Sequence, residues 1–419
     1  MISLYSEGIF LLHGSEIVSE SQAVQEMCMD REKARHETIT YNILKSHNTS
    51  GDMNRLRLKF DSMTSHDITF VGVIQTARAS GMERFPLPYV LTNCHNSLCA
   101  VGGTINEDDH LFGLTAAQKY GGIFVPPHEA VIHSYMREMI VKSGSMAIVS
   151  DSHTRYGSQG CLAIGEGGPE VAKAMLDKTY ELKYPQVVGV YLTGAPKAWV
   201  GPMDVALTLI GAVFKNGFVK NKVLEFVGPG VHSLSMDFRN GIDVMTTETT
   251  CLTTIWATDT TVKEYLELHH RPEAYKEMQP ENLAYYDGAV VVDLDKVESM
   301  IAMPFHPSHV YTIKELNEGG KDLLAEIEEQ AVNMLDNKEL SLGLADKYYD
   351  GKMHCDQGLI AGCSGGLYEN LVAAAHILKG KSIGSERFAF SVYPSSHPIY
   401  MELMRNGALA DLMDAGAVV

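Results

Sequence analysis

The chain has 419 residues, enough for two or three packed domains, and its 45% hydrophobic and 21% charged composition excludes a disordered polyelectrolyte. With 34 basic against 52 acidic residues the net charge is −18, and no run of Lys or Arg gathers positive charge, so nucleic acid is not an expected partner. Seven scattered cysteines read as thiols or ligands and not as a disulfide framework.

Residues 1–7 lack the basic start and apolar core of a secretory signal, and no apolar stretch approaches the ~20 residues of a membrane helix, so a cytoplasmic setting without membrane contact is expected. The first 60 residues read as polar and helical, with helical spacing over 32–45 and a break at 46–52. Strands are expected at 88–91 and 145–149, and helices at 115–120 and 169–182. That alternation predicts an α/β fold with a mostly parallel sheet. A further strand at 186–192 and a helix at 202–215 place one boundary near 190, and Pro304-Phe305-His306-Pro307 places another near 305. The expected domains are therefore 1–190, 191–305 and 306–419. Within the last, residues 320–336 read as a charged helix, 358–361 as a strand, 367–379 as a helix and 388–392 as a strand. The end at 414–419 looks like a strand beginning.

Several segments could carry chemistry. Asp151-Ser152-His153-Thr154 follows the strand ending at Ser150, and ligands of open α/β sheets bind at the carboxyl ends of strands. The same residues also suit a capped turn. The Gly-rich run 160–168 matches neither a P-loop nor a dinucleotide fingerprint and reads as close backbone packing under the site. Asn93-Cys94-His95-Asn96 also follows a strand. Cys94, His95 and Cys99 lack the second pair of a zinc finger, so His95 reads as the functional member, and Cys99 and Cys161 as buried thiols. Cys363 lies in a Gly-rich turn just before a helix, where the helix N-terminus favours thiolate; a silent buried thiol is the alternative. His133 in an apolar run suits a core histidine. Glu248 among four threonines is odder, because strand-like Thr runs tend to exclude Glu.

Together these segments resemble the aconitase superfamily. The resemblance runs from Ile74-Gln75 through Asp151-Ser152-His153-Thr154, Gly165-Glu166-Gly167-Gly168 and Gly228-Pro229-Gly230-Val231 to Cys363 and its helix, and 93–104 is closest to the aconitase-like hydratases of bacteria. It implies three-layer αβα domains around a shared cleft, the third incomplete here, and a fourth, swivelling domain elsewhere. It implies a [4Fe-4S] cluster held by three cysteines, with an open iron acting as Lewis acid on a small hydroxy-acid substrate in a hydro-lyase (dehydratase/hydratase) reaction. By the same resemblance Gln75 and Ser152 contact substrate; Arg155 departs from the family, standing where proline is common, and is expected to replace a lost substrate contact by gripping a carboxylate. His95 protonates the leaving hydroxyl. His133 pairs with Asp151 and His153 with Glu248, pairings expected to raise imidazole pKa values. Cys363 matches the first cluster cysteine.

The chain departs from the family pattern in places. Cys94 stands where an Asp is usual beside His95, Val244 replaces an Asn, and Gly362-Cys363-Ser364-Gly365 replaces Ser-Cys-Thr-Asn. The paired cysteines expected to complete the cluster set would follow a segment like 409–419. A truncated chain is therefore expected, with the cluster absent from it, the isolated chain inactive, and the missing C-terminal region or swivelling domain as its partner. The alternatives are a non-catalytic aconitase-like scaffold or binding protein, and a mononuclear zinc hydrolase using Cys94, His95 and His133.

Overall fold

A computed structural model describes residues 2–27, 29–94, 104–384 and 387–419. Five parallel strands form a first sheet in the order Ile123–Val125, Tyr89–Thr92, Ser62–His66, Met146–Val149, Leu162–Gly165. Side chains alternate between its faces, as the pleat requires. Met63, Leu91, Ile148 and Ile164 join one apolar cluster with the helices Phe70–Ala79 and Gly168–Met175. Val90, Ala147, Val149 and Ala163 join another with Ile132 and Met136. From Ser62–His66 the chain winds outward through Tyr89–Thr92 to Ile123–Val125, then returns to the opposite side at Met146–Val149. The strand order thus reverses between Ser62–His66 and Met146–Val149, and the crevice at their carboxyl ends is where such folds take ligands.

A second sheet has the order Ile2–Tyr5, Gly288–Asp293, Val187–Thr193, Val223–Val227, Thr253–Trp256; Ile2–Tyr5 is antiparallel to its neighbour and the rest are parallel. One face packs on the helices Pro202–Val213 and Met236–Met245 through Val190, Phe226, Leu209 and Ile242. Val187, Tyr191 and Ile255 on the other face share the large cluster with the first sheet. Mixed α/β layers with parallel sheets are therefore what the alternating pattern led one to expect. The strand Val187–Thr193, where the first boundary was placed, is the centre of this second sheet, and the N-terminal strand also enters it.

The first 60 residues differ from the helical reading. They hold the strands Ile2–Tyr5, Ile9–Leu12, Glu16–Ser19 and Arg55–Leu58, and the predicted helix divides into Arg31–Arg35 and Ile39–His47. Thr38 causes the break: it caps the second helix by accepting from Tyr41 N, which needs extended backbone at Thr38 itself. The predicted helix 169–182 stops at Met175, and Tyr180–Lys183 is a strand paired with Arg55–Leu58.

His47 closes this region onto the sheet. Its Nδ1 faces the Ile43 carbonyl at 2.8 Å and its Nε2 faces Asp61 Oδ2 at 2.8 Å, two acceptors that favour the imidazolium. Burial pulls the His47 pKa down, but Asp61 and the Ile43 carbonyl outweigh it, and the net shift is upward. Burial pushes Asp61 up, but its bonds from His47 and Met146 N outweigh that and hold it low. The His47 contribution is fully present below the ordinary histidine pKa of 6.5 and is lost as pH rises through the folded value. The Asp61 contribution is present above its ordinary 3.8 and is lost as pH falls through the folded value. Asp61 is half exposed, so screening keeps the pair small. His47→Gln is expected to shift the urea midpoint by the equivalent of up to about 1 kcal/mol near pH 5 and by clearly less near pH 9.

The remaining residues build on the long helix Ile313–Met334, capped reciprocally by Thr312 and Glu315, and on a two-stranded parallel sheet of Gln357–Ile360 with Ala389–Val392. The helices Tyr368–Leu378, His397–Arg405 and Ala408–Asp414 pack around Leu371, Leu403 and Leu412. The chain end is thus helical up to Asp414, with Val418 bridged to Ser391. This unit docks through polar contacts. Ser396 Oγ donates to the buried Glu138, whose carboxyl burial pushes up to about 7. Glu369 N donates to Asp237, which burial pushes up to about 6. Among the described residues, no helix is long and apolar enough to cross a membrane.

Candidate functional site

Two imidazole–carboxylate couples meet at the crevice of the first sheet. Asp151 comes just after the strand Met146–Val149, and His66 ends the neighbouring strand. Asp151 Oδ1 accepts from His133 Nε2 at 2.8 Å and from His153 N at 2.8 Å, while Oδ2 lies 3.4 Å from His66 Nε2. Burial alone would raise the Asp151 pKa, but the bonds from His133 and His66 win and hold it well below the usual carboxylate range. Asp151 is thus an ionised, acceptor-only group among three donors. Gly165, at the end of the adjacent strand, passes directly beneath: a Cβ there would collide with the Asp151 carbonyl. Close backbone packing under the site is what the Gly-rich run predicted.

The second couple is more open. His153 Nε2 lies 3.0 Å from Glu248 Oε1, and Ser152 Oγ lies 3.2 Å from His153 Nδ1. His153 and Glu248 side chains are 38% and 24% exposed, against 3% and 9% for His133 and Asp151, so water or a ligand reaches the second couple and barely the first. The threonines around Glu248 do not build a strand. They close a 3-10 turn, Thr246–Thr249, in which Thr246 Oγ1 donates to Asp243 O and Thr249 Oγ1 to Thr246 O. Thr247 Oγ1 donates to Ser152 O, tying the turn to the Asp151–Thr154 segment.

Cys363 is on the single turn Gly362–Gly365, which packs against Ile132–Tyr135, the turn that holds His133, and against Met236–Met245. The expectation that a helix N-terminus lowers its pKa is reversed. Burial dominates and raises the thiol, Asp151 adds to the rise, and Arg137 offsets part of it. The helix expected to favour the thiolate, Tyr368–Leu378, begins five residues after Cys363, and its dipole falls off within the first turn. His133 also departs from the expected upward shift: burial outweighs Asp151 and its pKa falls.

Two residues expected at the substrate are not joined to the couples. Gln75 is exposed on the helix Phe70–Ala79, whose Ile74 and Ala77 face the core. Arg155 is buried and all three of its nitrogens are engaged: Nε with Thr246 Oγ1, Nη1 with Thr154 O and Nη2 with Cys251 O. That guanidinium clips the Glu248 turn to the sheet and has no nitrogen turned toward a substrate carboxylate. His95 and Cys99 lie outside the described residues.

The sequence reading passed over several neighbours. His66 bears on Asp151, and Asp67 lies 3.4 Å from His110 Nε2. Tyr156 Oη meets His133 Nδ1 at 3.1 Å, and His306 Nε2 is 3.9 Å from Glu248 Oε2. Asp-Ser-His-Thr-Arg-Tyr already placed Tyr156 one helical turn from Ser152, but nothing in its spacing marked it.

The donor set does not make up a cubane cluster. Such a cluster takes three or four thiolates. Among the described residues Cys161 and Cys251 sit inside apolar clusters, Cys355 is exposed, and Cys94 bonds Thr92 Oγ1 with burial pushing its thiol up to about 12. Cys94 and Cys363 both lie near enough to Asp151 for its charge to disfavour their thiolates, and no group of three His, Cys, Asp or Glu that could hold a metal ion occurs among the described residues.

Comparison with known proteins gives relatives for most of the chain. A family model described as Aconitase family (aconitate hydratase) matches residues 39–419. The chain is 29% identical over 384 residues to a mitochondrial aconitate hydratase of Schizosaccharomyces pombe, covering 87% of this chain and 45% of that protein. It is 28% identical over 389 residues to the one of Saccharomyces cerevisiae, covering 87% and 46%. A further protein of Aspergillus fumigatus, described as a putative mitochondrial aconitate hydratase, is 30% identical over 321 residues, covering 73% and 37%. The chain spans about half the length, 45% and 46%, of the first two relatives.

Proposed function

The chain belongs to the aconitase family, and on that premise we propose that it forms the proton-handling part of a hydro-lyase acting on a small hydroxy-carboxylic acid. The observation that carries this reading is the half-open couple His153–Glu248, set beside the buried couple His133–Asp151 at the strand-order reversal. Loss of water from a hydroxy acid requires a proton for the departing hydroxyl and a group to take the proton from the adjacent carbon. His153 can give a proton at Nε2 or Nδ1 to a ligand oxygen, with Glu248 and Ser152 orienting its ring. His95, which resemblance gives the same task, belongs to the same proposal.

We further propose that Cys363 contributes one thiolate to a [4Fe-4S] cluster whose other ligands come from outside the described residues. The chain alone would then carry no turnover. In the alternative reading, favoured by Cys94 and Val244 where the family has Asp and Asn, it is a binding scaffold without cluster chemistry. Anaerobic incubation with ferrous iron and sulfide separates the readings. A chain carrying two further thiols at its end is expected to turn brown, and Cys363→Ser in that chain to lose most of the bound iron. Stoichiometric zinc, or no metal at all, would count against the cluster reading.

A further inference from the structure

The buried couple is held from its far side by two residues that play no part in the scheme above. His133 is on the turn Ile132–Tyr135, and the helix continues as a π-helical turn, Met136–Ile140, a departure from α geometry that recurs at functional sites. Arg137, four residues after His133, lies on the same side and is fully buried. Its Nη2 donates to Arg155 O at 2.9 Å, and among the described residues its Nε and Nη1 have no hydrogen-bond partner, so Glu138 and Asp237 act on its charge without bonding it. Its guanidinium carbon stands 5.9 Å from the centre of the Tyr156 ring. Tyr156 is itself fully buried and meets His133 Nδ1 through its hydroxyl.

The bonding pattern selects one form of the imidazole. Asp151 is an ionised carboxylate and can only accept, so the His133 proton facing it must be on Nε2. A phenol donates its O–H, and Nδ1 can accept it only if it carries no proton. In the neutral form with the proton on Nε2, both bonds are satisfied. In the imidazolium, Nδ1 would donate to Tyr156 Oη and displace the phenolic proton from its acceptor, beside a buried guanidinium whose neighbouring carboxyls, Glu138 and Asp237, burial pushes toward the protonated form. We infer that Tyr156 and Arg137 hold His133 as the neutral Nε2–H tautomer, which makes its couple with Asp151 a fixed frame and leaves His153 as the imidazole that exchanges a proton with a ligand.

The charges around His133 favour the same state in sum. Asp151 favours the cation. Arg137 from its own helix and His153 from the following turn oppose it, as does the burial that dominates the downward shift of its pKa. His66 lies across Asp151, Cys363 couples to Tyr156 from the packed turn Gly362–Gly365, and the Cys94 thiol, near Ile132, is itself held protonated by burial. Burial also keeps Tyr156 a phenol, so its donor is retained. Tyr156 and Arg137 are positioning residues here: neither is placed to touch a ligand. The catalytic consequence rests on the lyase reading, whereas the tautomer does not.

Nitrogen-15 spectra of the whole chain, labelled at histidine, test the inference without any turnover. His133 is assigned by its loss in His133→Asn. Its ring is expected to show one protonated and one acceptor nitrogen across about pH 5–8, with no imidazolium signal. Arg137→Met is expected to raise its titration by about one pH unit, and Arg137→Lys, which keeps the charge, to restore the parent behaviour. Tyr156→Phe is expected to move the Nδ1 resonance without charging the ring. An imidazolium in the parent chain near neutral pH, or the Nδ1–H tautomer, would overturn the inference even if every variant failed to fold. An Arg137→Met titration identical to the parent would remove Arg137 from it. Since no assay of hydration enters, failure here leaves the lyase reading standing, and failure of that reading leaves the tautomer measurable.

Discussion

Asp151→Ala is expected to lower the unfolding free energy by about 2–5 kcal/mol, because each donor left without its charged acceptor costs about 1–3 kcal/mol. The side chain is 9% exposed and takes bonds from His133 Nε2 and His153 N, with His66 Nε2 a further 3.4 Å contact. Its loss leaves two buried donors without an acceptor and removes the anion that His66 and His133 share. It also frees the His153 backbone, so the open couple loses its placement along with the buried one. Asp151→Asn keeps the shape but turns donor against donor at one oxygen, and about 1–3 kcal/mol is expected. Midpoints of urea unfolding at matched slope measure both. The acid limb should change as well. A carboxylate held far below its ordinary value contributes stability that is fully present above the ordinary 3.8 and is lost progressively as pH falls from there through the folded value. Between about pH 5 and 3 the stability gap between parent and Asp151→Ala should therefore narrow by about 1 kcal/mol, because the unfolded carboxyl takes up its proton while the folded one does not. A gap no larger than that of a surface substitution would mean that the crevice is not organised around this carboxylate.

Legibility followed local pattern. Met146–Val149 and Val187–Thr193 are apolar runs, and both appear as strands close to where the sequence places them. The strand Ser62–His66 was missed because four of its five residues are polar, although all five are buried. Thr64 Oγ1 meets the Val90 carbonyl in the sheet interior, a satisfaction no periodicity reveals. Missing that strand meant missing His66, and the substrate contact was instead sought at Gln75, on a helix face turned to solvent. The pairing of His153 with Glu248 spans 95 positions in sequence and came from family resemblance, not from spacing. Arg155 shows the opposite failure. The sequence offered it as a grip on a substrate carboxylate, and the fold shows that it clips a turn through carbonyls. Arg137, sealed behind Tyr156, drew no reading from the sequence. The thiolate expected at Cys363 failed because the helix behind the expectation begins only at Tyr368, and burial, which spacing does not reveal, raises the thiol.

On the lyase reading proposed above, the largest functional loss is expected from His153→Asn: about 100- to 10,000-fold in the rate of hydration, measured in a preparation of the protein that turns over. Asn keeps a polar group near Ser152 and Glu248 but cannot pass a proton. The ring is 38% exposed and lies on the open side of the crevice, so its removal should change stability by less than about 1 kcal/mol. That separates it from Asp151→Ala, where function and fold are lost together. Glu248→Gln retains an oxygen 3.0 Å from Nε2 but removes the charge that steadies an imidazolium, and a smaller loss of about 10- to 100-fold is expected. If the two roles are divided between the couples as proposed, the double variant His153→Asn/Glu248→Gln should be little slower than His153→Asn alone, because the carboxylate acts through the imidazole. Multiplicative losses would instead give Glu248 a separate contact with the ligand, one that His306, 3.9 Å from its other oxygen, is placed to support. Full activity in His153→Asn would move proton transfer to another residue and leave the open couple as scaffold.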